Sequence, residues 1–240
     1  MRARDKRSRS LRKRHQPRGL RILHEDRDII VVDKVSGLLT MSSAEVKDRT
    51  AYAFLNDYVR KGVQKSRNRI FIVHRLDRET SGVLVFAKHE EAKRFLQDAW
   101  FGFRKQYVAV VHGKPPNSEG VVESYLAENG VHRVYSVADP KKGRLARTGY
   151  TVLKDSPTHS LLEIELMTGR KHQIRVHLSD LGCPVVGDKK YGSDEKGLGI
   201  KRLALHAISM TIAHPHSKQM MTFAAEIPIY FASLVKETPA

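Results

Sequence analysis

The fold is organised around one stretch of the sequence, Val73-His74-Arg75-Leu76-Asp77-Arg78-Glu79-Thr80-Ser81-Gly82-Val83-Leu84-Val85-Phe86. Its polar centre lies between two apolar, β-branched runs, 70–73 and 83–86, and each run predicts a buried strand. A polar loop between two core strands is a common way to hold a reactive side chain rigidly. Asp77 is therefore the first candidate functional residue, although the loop composition also fits a solvated turn with an Arg–Asp pair.

The charge balance indicates a polyanionic partner. The 240 residues include 43 Lys and Arg against 26 Asp and Glu, a formal net charge of +17. Such an excess favours nucleic acid or an anionic membrane surface. No apolar run reaches the roughly 18 residues of a transmembrane helix, and the basic N-terminus lacks the apolar core of a signal peptide. We therefore expect a cytoplasmic protein that does not enter a membrane.

The N-terminal segment is dominated by Lys and Arg, with Asp5 as its one acid up to residue 18. Such a segment cannot bury enough apolar surface to offset chain entropy, so we expect disorder in isolation. Runs of like charge often bind phosphates, which favours an RNA-binding arm over a solubilising tail. We divide the chain into an arm, 1–19, and one domain, 20–235, which leaves no room for a separate module before Leu20.

The succession of short apolar strands predicts an α+β fold with an antiparallel or mixed sheet rather than a doubly wound parallel one. Helices are expected after the N-cap Thr50 as far as Gly62, over 90–101, and from Gly169 to the stop signal Gly182. The strands are expected at 21–24, 29–33, 70–73, 83–86, 107–111, 121–126, 131–137, 148–154, 161–167, 203–213 and 220–225. Trp100 and Phe103 are expected to pack in the core or at a helix end rather than to stack on bases.

Metal and thiol chemistry are not favoured. His172 and His177 are five residues apart, and His214 and His216 bracket a proline, but neither pair has a nearby cluster of acids or cysteines. We therefore expect no structural metal. The single cysteine, Cys183, excludes an internal disulfide and is interpreted as a buried filler.

The central stretch also resembles a family signature. The string His74-Arg75-Leu76-Asp77, followed by Thr80-Ser81-Gly82, is similar to the central motif of pseudouridine synthases of the RluA type. Three further strings occur in the order of that family. They are Lys105-Gln106-Tyr107-Val108-Ala109 with Val111 and Gly113; Ala146, Thr148 and Tyr150; and Thr168-Gly169-Arg170-Lys171-His172-Gln173-Ile174-Arg175-Val176-His177 with Gly182, Pro184, Gly187-Asp188 and Tyr191-Gly192. The resemblance extends from about Leu20 to Phe231.

The resemblance implies an enzyme that isomerises uridine in RNA to pseudouridine, on a bent, mostly antiparallel mixed sheet flanked by helices around a central basic cleft. The reaction breaks the N-glycosidic bond, rotates the base and rejoins it through carbon. Because there is no redox step and no atom is lost, no cofactor or metal is required. By resemblance, Asp77 is the carboxylate that attacks the sugar carbon or helps to remove a neighbouring proton. Arg175 is implied as its bidentate partner, although a phosphate or surface contact is the alternative.

Two further residues are implied to contact the target base. Tyr107 can stack on the base, and its hydroxyl can take the proton lost during isomerisation; the sequence leaves both roles open, beside that of an ordinary core tyrosine. Ile174 resembles an aliphatic residue of the family that packs against the base or against Tyr107.

Four basic residues are candidates for binding the RNA around the base. A base inside folded RNA must be turned out to be reached, and by resemblance Arg75 fills the gap that it leaves. His74 is a weaker candidate for contacting the displaced strand. Arg170 and Lys171 are expected to bind phosphate at the start of the third helix.

We therefore expect an RNA pseudouridine synthase acting on ribosomal or transfer RNA, as a monomer. The alternative is a non-catalytic RNA-binding or ribosome-assembly factor on the same fold. The joint presence of Asp77, Tyr107 and Arg175 favours the enzyme, and the glycine-rich site of a methyltransferase is not found. RNA shape rather than a residue code would select the uridine, with contributions from the arm and from a Gly- and Lys-rich loop, 188–201.

Overall fold

The computed structural model describes residues 16–42, 46, 48–61, 63, 65–192 and 202–235. Within them, eleven strands form one sheet in the order β1-β2-β4-β10-β5-β9-β8-β6-β7, with β3 paired to β4 and β11 paired to β10. The strands are β1 Leu20–Glu25, β2 Ile29–Lys34, β3 Phe71–Ile72, β4 Ser81–Ala87, β5 Arg104–His112, β6 Glu119–Glu128, β7 Val134–Val137, β8 Arg144–Asp155, β9 His159–Leu166, β10 Leu205–Ala213 and β11 Met220–Ala224. The helices are α1 Ala51–Arg60, α2 Glu90–Asp98, α3 Gln173–Asp180 and α4 Ile229–Leu234.

The pairing confirms the predicted α+β class with a mixed, mostly antiparallel sheet. Strands β4 and β10 run parallel, and every other pair of named strands in the described residues is antiparallel. A parallel pair needs a long crossover, and here the crossover contains most of the domain, from α2 to α3. The two strands that the central stretch predicts, β3 and β4, pair with each other, so the polar loop between them returns the chain to the same sheet.

Strands β2 and β4 contain the continuous apolar runs 29–32 and 83–87 because both faces of the sheet are covered at this point. Successive side chains alternate between the faces. Leu84 and Phe86 join the larger core cluster, whereas Val83 and Val85 join a second cluster on the other face. All seven residues of β4 are buried, so the loop that carries Asp77 is anchored at a fully packed strand.

Local signals in the sequence explain the helix ends. The Thr50 hydroxyl accepts the N–H of Ala53 at 3.1 Å, as expected of an N-cap. Helix α1 ends at Arg60, and the predicted end at Gly62 lies outside the described residues. Gly182 follows α3 with a φ of 79°, which confirms it as the stop.

Several boundaries differ from the prediction by a few residues, and one helix was not predicted. Helix α2 ends at Asp98, and Trp100–Gly102 continues as a 3₁₀ turn. Strand β7 begins three residues later than expected, because the Asn129 side chain accepts two backbone N–H groups and closes a turn before it. Helix α4 was not predicted, since its six residues are too few to show a helical period.

Two segments with proposed RNA contacts lie largely outside the described residues. These are the arm, of which 1–15 are not described, and the 188–201 loop, of which 193–201 are not described. No helix among the described residues is long and apolar enough to cross a membrane.

Gly82 supplies a test of the frame around the Asp77 loop. Its φ is +110°, and a Cβ atom there would lie 2.2 Å from the Ala207 carbonyl oxygen across the parallel β4–β10 pair. We predict that Gly82→Ala lowers the free energy of unfolding by at least about 2 kcal/mol, because strain and backbone displacement add.

Gly130→Ala is the matched control for urea unfolding, since a Cβ atom there meets nothing within 4 Å. Its effect should stay below about 0.5 kcal/mol. Equal stability of the two variants would contradict the close approach of β4 and β10.

Candidate active site

A cavity of about 320 Å³ opens beside Asp77. Most of its wall is built from three separate parts of the chain: the loop before β4, the start of β5, and the turn that leads into α3. Trp100, Leu166 and Leu205 complete it. The structure brings all of the predicted site residues to this cavity. They are His74, Arg75, Asp77, Tyr107, Arg170, Lys171, Ile174 and Arg175.

The loop that carries Asp77 is pinned on both sides. On one side, the Thr40 hydroxyl donates to the Leu76 carbonyl at 2.9 Å and accepts the Leu76 N–H at 3.1 Å. On the other side, the ammonium of Lys34 donates to the Arg78 carbonyl at 3.2 Å. The backbone on either side of Asp77 is therefore fixed before any substrate binds.

Lys34 is fully buried at the end of β2, and sequence reasoning missed it. Its ammonium also donates to the carbonyls of Val35 and Leu38, at 3.1 and 2.7 Å. Three carbonyls thus match the three donors of the ammonium. Burial lowers the pKa of Lys34 to about 7, against the opposing charge of Asp77. The only signal in the sequence was a lysine at the end of an apolar strand.

The bidentate partner of Arg175 is Asp188, not Asp77 as the sequence analysis expected. Arg175 Nε and Nη2 donate to the two carboxylate oxygens of Asp188 at 2.7 and 2.8 Å. A single contact, 3.3 Å from Nη1 to Oδ2, joins Arg175 to Asp77. Asp188 therefore binds two of the three guanidinium nitrogens, and the third nitrogen donates to Asp77.

The Asp188 carboxylate is completely buried and remains ionised. Burial by itself would raise its pKa, but the hydrogen bonds and the charge of Arg175 outweigh burial, and the pKa is lowered. The backbone N–H groups of Lys190 and Tyr191 also donate to Asp188. Asp188 stands in the quoted Gly187-Asp188 string, yet sequence alone gave it no role.

Tyr107 and Ile174 belong to the same buried cluster and line the cavity. Burial, together with the nearby negative charge of Asp77, raises the pKa of the Tyr107 hydroxyl well above its usual value. The hydroxyl is therefore protonated at neutral pH and can form hydrogen bonds, while the ring can stack. Forming a phenolate beside Asp77 is unfavourable.

His74 is engaged by the protein itself. Its Nε2 accepts the N–H of Val85 at 3.0 Å, and its ring lies 4.5 Å from that of Trp100. Burial and the charge of Lys105 lower the pKa of His74 to about 3. The neutral ring of His74 thus connects the loop to β4. The predicted contact of His74 with a displaced RNA strand stays a prediction. Trp100 packs near a helix end as expected, but it also lines the cavity.

The basic residues at the cavity differ in how freely they can meet RNA. Arg75 is exposed and makes no hydrogen bond or ion pair with the described residues. Arg170 Nε donates to the Leu145 carbonyl at 3.1 Å, and Lys171 pairs with Glu128. Both precede the first residue of α3, so they lie in the turn before the helix rather than in its first turn.

One premise of the metal argument was wrong, because acids do lie near His214. Its Nε2 is 3.0 Å from Asp26 Oδ2 and 3.8 Å from Asp28 Oδ2. Its Nδ1 accepts the N–H groups of His216 and Ser217. This pattern fits a neutral imidazole that donates from Nε2 and joins two hairpins, and the absence of a metal remains a prediction.

With this geometry established, the comparisons with known proteins define the class. A profile of the RNA pseudouridylate synthase family matches residues 28–180. The chain belongs to this family, and its relatives place it with the RluA type.

Individual relatives agree with this class. An uncharacterized RNA pseudouridine synthase of Bacillus subtilis, YjbO, is 33% identical over 92% of this chain and 77% of its own length. A ribosomal large subunit pseudouridine synthase D of Nitrosomonas europaea is 36% identical over 90% of this chain and 64% of its own. An uncharacterized RNA pseudouridine synthase of Chloroflexus aurantiacus is 44% identical in a match that covers 65% of this chain and 50% of that relative.

Among solved structures, human RNA pseudouridylate synthase domain containing 4 superimposes with a TM-score of 0.72. The two are 26% identical, and the match covers 88% of this chain and 90% of the human one. The fold around the cavity is therefore that of the family.

The buried Arg175–Asp188 pair gives a test of the site's framework. We predict that Asp188→Asn lowers the free energy of unfolding at pH 7 by about 3–5 kcal/mol, because it leaves a buried guanidinium with half of its ionic partners. Asp155→Asn is the control, since its pair with Lys114 is exposed to solvent and its loss should leave stability nearly unchanged.

The pH dependence has a definite sign. Because the folded pKa of Asp188 is lowered, its contribution is present above the unfolded value of about 3.9 and is lost as the pH falls through the folded value. Urea unfolding should therefore show the difference between wild type and Asp188→Asn shrinking only below about pH 4. A difference that is small at pH 7 would contradict the pair's role.

Proposed function

We propose that this protein is an RNA pseudouridine synthase that isomerises one or more uridines in ribosomal RNA, transfer RNA or both. One observation carries the proposal. The carboxylate of Asp77 stands at the cavity, on a pinned loop, with a single guanidinium contact to its Oδ2. Family membership supports the same conclusion, since the matched profile covers the elements that supply Asp77, Tyr107 and Arg175.

The cavity suits one flipped-out nucleotide. Its volume of about 320 Å³ lies at the lower end of the range of small-molecule sites. Buried walls from Tyr107 and Ile174 offer apolar contact to a base, while the exposed Arg75 stands at the cavity without a protein partner. We propose that Arg75 occupies the space that the base leaves in the RNA.

Asp77 performs the central step in either of two routes. It adds to C1′ as N1 of the uracil leaves, or it helps to remove the C2′ proton so that a glycal forms. In both routes the released uracil rotates and C5 bonds to C1′, while the bond from Asp77 to C1′ breaks in the first route and a proton returns to C2′ in the second. The C5 proton then departs and N1 gains a proton. The atoms therefore balance without a co-reactant, and the protein supplies position, charge and one basic oxygen.

Arg175 and Tyr107 support that step in different ways. The guanidinium holds Asp77 Oδ2 and favours the charged carboxylate. Tyr107, protonated as its raised pKa requires, stacks against the base, and its protonation favours this role over that of the base that takes the C5 proton. An assembly factor without chemistry would need neither residue beside Asp77.

The names of relatives support ribosomal RNA as substrate. The proteins of Nitrosomonas europaea and Rickettsia bellii are named for the ribosomal large subunit. We extend this to transfer RNA as a second class, and we propose a cytoplasmic monomer with a catalytic domain, 20–235, and an RNA-binding arm, 1–19. The charge of +17 supports the RNA partner.

Asp77→Asn should abolish turnover while folding and RNA affinity stay near wild type, because the side chain keeps its size but loses its nucleophilic charge. The loss should be at least about a thousandfold. Turnover is measured as the tritium released from ribosomal and transfer RNA that carries tritium at C5 of its uridines.

Glu79→Gln is the matched control, since this exposed acid lies two residues away in the same loop. It should retain wild-type turnover. An Asp77→Asn variant that works at the wild-type rate would overturn the assignment of Asp77.

Deleting residues 1–18 should weaken RNA binding and flatten its salt dependence, because fewer counterions are released on binding. Filter binding at several salt concentrations measures both quantities. A Gly/Ser segment of equal length in place of the arm is the control for chain length. Binding that is unchanged in both variants would reduce the arm to a tail.

A further inference from the structure

Two side chains approach the same oxygen of Asp77. Arg175 Nη1 lies 3.3 Å and His172 Nε2 lies 3.8 Å from Asp77 Oδ2. The other oxygen, Oδ1, has no partner among the residues that the structure describes. The protein therefore distinguishes the two carboxylate oxygens, and His172 is a residue to which the sequence analysis gave no role in the chemistry.

The hydroxyl of Tyr191 determines which nitrogen of His172 carries the proton. This hydroxyl accepts the N–H of Val134 at 3.0 Å and lies 2.8 Å from His172 Nδ1. A phenol has one proton to donate, and His172 Nδ1 is the acceptor within reach. With the Tyr191 hydroxyl donating to it, Nδ1 is unprotonated, and a neutral His172 then carries its proton on Nε2, the nitrogen that faces Asp77.

The surroundings keep His172 neutral. Burial lowers its pKa to about 4; the charge of Asp77 opposes this shift, and the charges of Arg175, Lys190 and Lys171 add to it. A neutral ring with its proton on Nε2 can donate toward Asp77 but cannot accept a proton there. His172 is thus suited to orient the carboxylate and not to act as a base at this position.

Tyr191 connects this arrangement to the guanidinium. Its backbone N–H donates to Asp188 at 3.0 Å, and Asp188 holds Arg175 in the bidentate pair. Its ring lies 5.1 Å from the guanidinium carbon. One residue therefore fixes both groups that meet Asp77 Oδ2, through its hydroxyl on one side and its backbone on the other.

We propose that His172 is a positioning residue, held by Tyr191 with its proton on Nε2, that donates this proton in a hydrogen bond to Asp77 Oδ2 in the RNA complex and leaves Oδ1 as the reacting oxygen. The inference rests on the proposed function. The 3.8 Å separation is longer than a hydrogen bond, as contacts in substrate-free sites often are before they tighten. His172 lines the cavity and has a φ of 54°.

Two substitutions of His172 distinguish the effect of the Nε2 hydrogen-bond donor from that of the imidazole ring. His172→Gln places an N–H donor where Nε2 now lies, whereas His172→Asn places one near Nδ1, too short to reach Asp77. Asparagine tolerates the left-handed backbone better than glutamine does. Asn should therefore fold at least as well as Gln, and stability cannot favour Gln in an activity assay.

We expect His172→Gln to keep kcat within about threefold of wild type, and His172→Asn to lose at least about tenfold, as befits a hydrogen bond to a charged group. KM for RNA and the melting temperature should match between the two. Equal kcat values for Gln and Asn, in an active wild-type background, would overturn the role of His172. An inactive wild-type protein would instead overturn the proposed function.

Tyr191→Phe tests the tautomer independently. In the wild-type background it should lower kcat, because His172 is then free to carry its proton on Nδ1. In the His172→Gln background, Tyr191→Phe should not lower kcat further, since the Gln side chain has a single protonation pattern. The loss of stability from the unpaired Val134 N–H is the same in both backgrounds. A proton–nitrogen correlation spectrum should show the His172 proton on Nε2 in the wild type; a proton on Nδ1 would refute the proposal.

Discussion

The buried ion pair between Arg175 and Asp188 is the interaction on which the site depends. A guanidinium paired only with a reacting carboxylate would lose its partner whenever that carboxylate changed its charge or formed a bond, and stranding a buried charge is costly. Here Asp188 satisfies two donors permanently, at 2.7 and 2.8 Å, and one donor reaches Asp77 at 3.3 Å. Under the proposed function, Arg175 can therefore stay in place while Asp77 reacts.

The frame around this pair is equally constrained. Strands β2 and β4 are packed on both faces, the Lys34 ammonium ties the end of β2 to the loop that holds Asp77, and Thr40 holds the backbone of Leu76. None of these groups contacts the cavity's expected substrate directly. Together they remove the freedom that Asp77 would otherwise lose on binding, which is how a rigid scaffold aids a reaction that needs no cofactor.

The sequence predicted which residues form the site better than it predicted which of them pair with each other. The apolar runs around the Asp77 loop predict β3 and β4, and the quoted motifs lead to the eight predicted site residues at the cavity. They do not lead to Trp100, Leu166 or Leu205, which also line it. Sequence paired Arg175 with Asp77, however, because it could not show that Asp188 lies nearer. It also missed the contact between Asp26 and His214, which are 188 residues apart and meet through the turns of two hairpins. Long-range polar pairs have no local period, so only the folded chain reveals them.

The most direct test of the central claim is a site-by-site map of pseudouridine in total RNA from cells that have or lack this protein. The account predicts that one or a few uridines in ribosomal or transfer RNA lose the modification and regain it when the intact protein is restored. Such a result would also identify the substrate. Identical maps in both cells, under growth conditions in which the protein is made, would contradict the assignment of this site as a uridine isomerase.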